Sequence, residues 1–444
     1  MEVLARYRLG AAFRCIVSVC ALLAAMPVPA QLEITITSGV ERRIPAAFVP
    51  FGWQGQGAMP PFDVAALVEQ DLETSGYFEP LERRDMISQP TPASQINFQD
   101  WRIVEVDILL IGNLVQTGQD SYTISFQLFD VVRGQQLLAF RVGSTGEELR
   151  STSHRIADMV YEEITGIRGI FSTRIAYITE ERGASGGQLF SLIVADADGA
   201  NARTIAESTQ PLMSPAWSPD GRLIAYVSFE GQQSAIYVQT LRTGTRQIVS
   251  RRAGINGAPV FSPDGTKLAL TLSLDDGNLD IYTLDLGSQV INRITTSGSI
   301  DTEPAWSADG EWVYFTSDRA GSAQVYRVRA EPGNRAERVT FEGTYNARAR
   351  VSPDGDRLAF VHRNQGRDRI ALLDPERNVL NVLSRGELDE SPSFAPNGAM
   401  IIYATRDGGR GVLAAVSSDG RVHQEIASVA GDVREPVWSP YPLP

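Results

Sequence analysis

The 444-residue chain carries 53 acidic against 40 basic residues, a formal charge of −13. That balance argues against nucleic acid or anionic lipid as partner, because both recruit cationic surfaces. Its two cysteines, Cys15 and Cys20, lie within the first 30 residues, so the rest of the chain has neither a disulfide nor thiol chemistry.

Residues 1–30 read as an export signal. Arg6, Arg8 and Arg14 precede an apolar core from Cys15 to Met26, and Val28-Pro29-Ala30 offers small residues for cleavage between Ala30 and Gln31. The apolar run is far shorter than the roughly 20 residues of a membrane-spanning helix, and Val19 does not suit lipid attachment at Cys20. No direct membrane insertion is expected. Removing this segment takes away three Arg and one Glu and leaves a charge of −15. Residues 31–43 alternate as Leu32-Glu33-Ile34-Thr35-Ile36-Thr37 before Val40 and Arg42-Arg43. This is either an edge strand of the chain itself or a tail that adds to the sheet edge of another protein.

From 44 to 166 the pattern is α/β. Phe48-Val49-Pro50-Phe51 is strand-like, and Asp63 caps a helix whose face holds Val64, Leu67, Val68 and Leu72, stopped by Gly76. Asp107–Leu114 reads as a buried strand, and Tyr122–Phe129 and Leu137–Val142 as a hairpin about Arg133-Gly134. A second helix, from about Glu147 to Thr165, places Leu149, Ile156, Val160 and Ile164 on one side and ends at Gly166.

Residues 167–444 are organised by a recurring turn. It reads Ser218-Pro219-Asp220-Gly221, Ser262-Pro263-Asp264-Gly265, Ser307-Ala308-Asp309-Gly310, Ser352-Pro353-Asp354-Gly355 and Ala395-Pro396-Asn397-Gly398, with Ser439-Pro440 as a last partial copy. The steps are 44, 45, 45, 43 and 44 residues. Proline presets the second turn position, Asp or Asn bonds its own backbone, and Gly accepts the left-handed conformation. Short apolar strands follow each turn, as in Leu223-Ile224-Ala225-Tyr226-Val227 and Ile236-Tyr237-Val238. Four short strands per repeat of this length indicate propeller blades, whereas a solenoid or sandwich implies a shorter period or none. The strand Ile175–Ile178 precedes the first turn and Pro436-Val437-Trp438 follows the last. Those two strands should pair within one blade and close a ring of six.

No catalytic constellation emerges. Gly183-Ala184-Ser185-Gly186-Gly187 matches a nucleophile-elbow pattern but falls in a hairpin loop instead of a strand-to-helix turn. His154, His362 and His423 show no metal-ligand spacing, which points to surface or satisfied core roles. Gly55-Gln56-Gly57 lacks the third glycine of a phosphate loop. Asp196-Ala197-Asp198-Gly199 and Asp275-Asp276-Gly277-Asn278 lack the downstream Glu of a calcium loop. A propeller enzyme of the hydrolase-associated or metal-dependent lactonase or lyase type is the alternative; it needs a hydrolase domain or carboxylates converging in the channel.

The propeller units, the exported start and the α/β domain together resemble the TolB family of the Tol–Pal system. The likeness extends to Ile34–Val40, Phe48–Phe51, His154–Asp158, Ile164–Phe171, Asn256–Pro259 and Trp438–Tyr441. The resemblance implies an α/β N-terminal domain followed by a six-bladed β-propeller of WD40-like repeats, closed by N- and C-terminal strands. It also implies a monomeric, non-enzymatic protein of the Gram-negative periplasm that binds the lipoprotein Pal and TolA. The system it implies supports outer-membrane integrity and invagination during division. TolA would take the N-terminal extension, at Leu32, Ile34, Ile36 and Val40. Pal would take the channel mouth on the face where one blade hands over to the next. The connections into the prolyl strands supply that face: Ile255, Asn256, Gly257 and Ala258; Asp301, Thr302 and Glu303; Asn346 and Arg348; Asp389 and Glu390; Arg434 and Glu435. No cofactor is expected, although a cation such as calcium in the channel is left open.

Overall fold

The computed structural model describes residues 32–38, 42–56, 59–60, 62–182, 186–274, 277–428 and 431–443. The signal segment with Ala30 and Gln31, and Val40 of the extension, lie outside them, as do residues 183–185 and 275–276 of the glycine and acidic loops.

Six antiparallel sheets form the ring, five of four strands and one, blade 6, with a fifth strand added at its outer edge. Blade 1 takes its innermost strand, Asp432–Trp438, from the end of the chain, paired with Arg174–Arg182. The innermost strands of blades 2 to 6 are Leu212–Trp217, Asn256–Phe261, Asp301–Trp306, Tyr345–Val351 and Glu390–Phe394. Closure by both ends of the chain is therefore as the repeat count predicts. The repeated turns all lie on one side, the turn face; the connections into the inner strands form the opposite, mouth face.

The turn chemistry is local and repeated. Ser218 Oγ donates to Asp220 Oδ1 (2.6 Å) and accepts from Leu223 N (2.9 Å). The same pair of bonds recurs at Ser262, Ser307 and Ser352. The serine hydroxyls hold the Asp264 and Asp309 carboxyls below the ordinary range. Glycine closes the turns at φ between 66° and 85°, and each lies against the neighbouring turn. A Cβ on Gly265 would lie 3.6 Å from Pro219, and one on Gly310 3.6 Å from Pro263.

The N-terminal domain holds a mixed sheet in the order Phe78–Pro80, Ile44–Phe48, Ile108–Gln116, Ser121–Asp130, Gln135–Thr145. Helix α1 (Val64–Thr74), capped by Asp63 Oδ1 on Ala66 N (2.9 Å), packs on it. Helix α2 (Phe98–Ile103) buries Trp101, and α3 (Leu149–Thr165) ends at Gly166 with φ 72°. The first strand ends at Phe48 and not at Phe51, because Pro50 has no N–H for the ladder.

This domain sits on the turn face of blades 6 and 1. Asn397 Nδ2 donates to the Arg168 carbonyl (2.8 Å), Arg168 lies over the Tyr441 ring (3.6 Å), and Gly76 abuts Val422. The extension crosses back to the ring. Leu32–Ser38 pairs antiparallel with His423–Ser428 as a fifth, outermost strand of blade 6, Leu32 opposite Ser428 and Ser38 opposite His423. The edge-strand arrangement is thus the one this structure adopts.

His154, whose spacing from the other histidines shows no metal-ligand pattern, lies buried at the domain joint within a cluster of titratable groups. It is 2 % exposed, with Nδ1 2.7 Å from Asp71 Oδ2 and Nε2 3.8 Å from Asp198 Oδ2 of the blade 1 turn. The spacing rule fails here because Asp71, His154 and Asp198 come from three separate segments. Arg150 bonds Asp198 and lies 3.7 Å from Asp196, while Asp158 faces the same joint from α3. Burial pushes the Asp71 carboxyl up to about 6. Burial disfavours the imidazolium, but the Asp71 bond and the Asp71 and Asp198 charges outweigh it and raise the His154 pKa.

Two outcomes follow from this packing. Asp301 is fully buried and held by Arg319 Nη2 at 2.7 and 2.9 Å. Arg319→Met leaves that carboxylate uncompensated and should cost about 3–5 kcal/mol in denaturant unfolding, as for other broken buried pairs. For His154 the folded pKa lies above the unfolded value, so its stabilisation is complete below pH 6.5 and fades as pH rises through the folded pKa. The urea midpoint of the native chain should therefore fall more between pH 6 and pH 8.5, a span of about 2.5 units around an ordinary histidine, than that of His154→Gln.

Candidate functional site

The channel is built by one irregularity repeated six times. Ser214, Ala258, Glu303, Arg348, Ser391 and Glu435 have φ between 46° and 56°, a region that non-glycine residues seldom enter. At each of them the pairing with the next strand slips, so each inner strand carries a β-bulge at the same level. Proline follows the bulge residue in five blades and Ala349 in blade 5. All six bulge residues line the channel.

Three of the six are charged and form its waist. Arg348 Nε donates to Glu303 Oε1 (2.7 Å), Arg348 also bonds Ser391 Oγ, and Glu435 Oε1 lies 3.9 Å away. Glu303 Oε2 accepts from Thr316 Oγ1 (3.0 Å) and Glu435 Oε2 from the Ser214 N–H. Burial pushes the Glu435 carboxyl up, and its proximity to Arg348 only partly offsets this. The carboxylates of the waist converge on a guanidinium. Among the described residues, Asp71, His154 and Asp198 are the group of acids and histidines close enough to share an ion, all ligand atoms lying within 4.8 Å of one another. They belong to the domain joint, far from the waist, and Arg150 already occupies Asp198.

The mouth residues divide sharply. Asn256, Asp301 and Asn346 are fully buried and Asp389 is 1 % exposed, so these four cannot touch a partner and are corrected to structural roles. Each anchors the start of an inner strand. Asn256 Oδ1 accepts from Ser250 Oγ (2.7 Å) and Arg252 N (3.0 Å). Asn346 Nδ2 donates to Gln324 Oε1 (2.8 Å), and its Oδ1 meets His362 Nδ1 (2.8 Å). Asp389 accepts from Ser384 Oγ, Gly386 N (3.1 Å) and Thr405 Oγ1 (2.5 Å). The residue before each anchor points the other way: Ile255, Ile300 and Leu388 are 49 %, 48 % and 52 % exposed, and Tyr345 is half-buried.

Gly257, Ala258, Thr302 and Glu390 are half-exposed between this apolar rim and the waist. Arg434 is tied to Glu180 Oε2 (3.1 Å). The mouth cavity, about 310 Å³, is lined by Tyr345, Leu388, Glu390 and Arg434 among others. Ile300 and Leu388 belong to the same entry segments as Asp301 and Asp389. Strand alternation beside the Asn or Asp is the signal that marks them as outward-facing. Of the extension, Leu32, Ile34 and Ile36 lie in the strand added to blade 6. The histidines are held by Asp71, Asn346 and, for His423 Nε2, the Gly420 carbonyl (3.1 Å).

Known proteins match this architecture along nearly the whole chain. The sequence profile of the TolB beta propeller domain matches residues 161–442, and that of the TolB amino-terminal domain residues 32–137. The chain is 46% identical over 421 residues to the Tol-Pal system protein TolB of Xanthomonas oryzae pv. oryzae strain MAFF 311018, covering 94% of this chain and 95% of the relative. The Tol-Pal system protein TolB of Xanthomonas campestris pv. campestris strain 8004 is likewise 46% identical, over 92% of this chain and 93% of that one. The crystal structure of TolB from Acinetobacter baumannii superposes with a TM-score of 0.85 at 38% identity, over 93% of this chain and all of that one. With both domains matched in order along nearly the whole chain, the chain belongs to the TolB family of Tol–Pal system proteins.

Proposed function

We propose that this protein is a non-enzymatic coupler of the Gram-negative periplasm, which receives Pal at the channel mouth and TolA on the segment 31–43. Through those contacts it supports outer-membrane integrity and the inward movement of the outer membrane at division. The observation that carries the proposal is the asymmetry of the two faces. The turn face repeats one chemistry and is partly taken by the chain's own N-terminal domain. The mouth face is uncovered by that domain and ringed by exposed Ile255, Ile300 and Leu388 around charged Glu303, Glu390 and Arg348. Apolar anchors ringed by polar groups are the makeup of a protein-docking site. Each histidine is bound to a structural partner, which favours docking over catalysis. Arg348 brings to the waist the positive charge that a channel cation would supply, and on this reading no metal is needed there.

Ile300→Arg, Leu388→Arg and Thr302→Arg should each weaken binding of purified Pal at least about tenfold, the scale of a hot spot of 1–2 kcal/mol. Thr266→Arg, beside a turn of the opposite face, should leave it unchanged. Calorimetric titration checks this, and equal losses on both faces would refute the mouth as the site. For the extension, deletion of residues 31–43 should abolish TolA binding. It should lower the melting temperature by less than about 5 °C, since an added edge strand leaves the blade's own four strands intact.

A further inference from the structure

The inner strand of blade 5 departs from the other five in a second way. Two residues beyond the bulge stand Ala216, Val260, Ala305, Ser393 and Val437, but Arg350 in blade 5. Arg350 lies on the turn side of the waist, in a cavity of about 280 Å³ shared with Ser214, Ser391 and Ser393. Its guanidinium makes one hydrogen bond, from Nη1 to the carbonyl of adjacent Ala349 (2.9 Å). Among the described residues no carboxylate oxygen comes within 4.0 Å of it. The nearest acids are already engaged: Glu303 by Arg348 and Thr316, and Glu435 by the Ser214 N–H. Arg350 is half-buried in the channel wall, and its charge, which an arginine cannot shed, meets no acidic partner there. Burial accordingly depresses the Arg350 pKa, against the pull of Glu303.

We propose that the turn-side half of the channel is an anion site, in which Arg350 takes a small oxyanion or carboxylate group through its planar fork of N–H donors. The hydroxyls of Ser391 and Ser393 face the same space, and the cavity is wide enough for a group the size of phosphate or a carboxylate-ended peptide tip. A guanidinium suits such two-oxygen anions because two N–H groups meet two oxygens in one plane. The site is separate from the mouth, and the proposal stands whether or not Pal docks there.

The test uses the mature chain at constant ionic strength and follows its melting temperature against inorganic phosphate, acetate, and a tripeptide with either a free or an amidated C-terminus. A saturable rise is expected with phosphate and acetate, as for any ligand that binds only the folded state. Arg350→Met, of similar length but uncharged, should weaken the apparent affinity at least about tenfold, and Arg350→Lys, which keeps the charge, should retain part of it. A free-ended tripeptide that binds more tightly than acetate, with the amidated one inert, identifies a polypeptide carboxylate as the source. Equal responses to acetate and free-ended peptide identify a free ion. Bromide soaked into crystals should give an anomalous peak beside the guanidinium. The proposal is overturned if nothing saturates up to about 50 mM, or if Arg350→Met responds like the native chain.

Discussion

A propeller has to bring its last sheet against its first, and the interaction on which this ring depends is the contact of each turn with the next. The proline of one turn packs beside the glycine of the following one: Pro219 toward Gly265, Pro263 toward Gly310, Pro353 toward Gly398, and Pro440 toward Gly221 across the closure. A Cβ on the glycine would touch the proline at ordinary contact distance, so what calls for glycine is the backbone, with φ near 70°. Blade 4 has Ala308 at the proline position, and Gly355 still packs against it, 3.4 Å from a built Cβ. The seam at blade 1 is reinforced by Arg174 N on Ser439 Oγ (3.0 Å) and by Trp438 Nε1 on Thr173 Oγ1 (2.8 Å). The two ends of the propeller chain are thus bonded by side chains as well as by the strand ladder, which suits a fold whose circle has no covalent closure.

Much of this was legible because the turn is written in residue types with one strong conformational meaning each. Period, blade count and the two-ended blade all follow from Pro, Asp and Gly at fixed offsets. The helices α1 and α3 were legible for a similar reason, a cap, an apolar stripe and a glycine stop. The bulges were not. Nothing in Ala258 or Arg348 announces a left-handed backbone, and a residue before proline ordinarily favours extended angles. Their conformation is imposed by a ring that forces six strands toward one axis, a constraint absent from any local window. Short-range rules also missed α2 and the strand Phe78–Pro80, which are too brief to show a period.

The mouth shows a different limit. Its loops combine small, aliphatic and charged residues. What sequence could not separate was which of two neighbours faces water. Ile255 and Asn256, Ile300 and Asp301, Tyr345 and Asn346, Leu388 and Asp389 are four copies of one arrangement, in which the polar residue is buried and its neighbour is exposed or, for Tyr345, half-buried. Hydropathy alone assigns them the reverse. The anchors must be polar because they receive N–H and O–H groups from the preceding blade or from Arg319. The exposed apolar neighbours have no such internal partner.

Repetition and variation divide the molecule by role. Positions that recur in most blades, the turn serine, the turn glycine and the buried Asn or Asp, are fixed by ring geometry and do little to distinguish one sector from another. The bulge positions recur in backbone but vary in side chain, as Ser214, Ala258, Glu303, Arg348, Ser391 and Glu435. A channel lined by such residues is chemically lopsided, with its charges gathered on blades 4, 5 and 1 and its neutral wall on blades 2, 3 and 6. Backbone strain held in place by a rigid ring, bearing side chains that differ from sector to sector, is where a symmetric scaffold can acquire a direction. The same logic sets the N-terminal domain over blades 6 and 1. There Asn397, Tyr441 and Asp198 are departures from the repeat, and only departures can tell one side of a propeller from another.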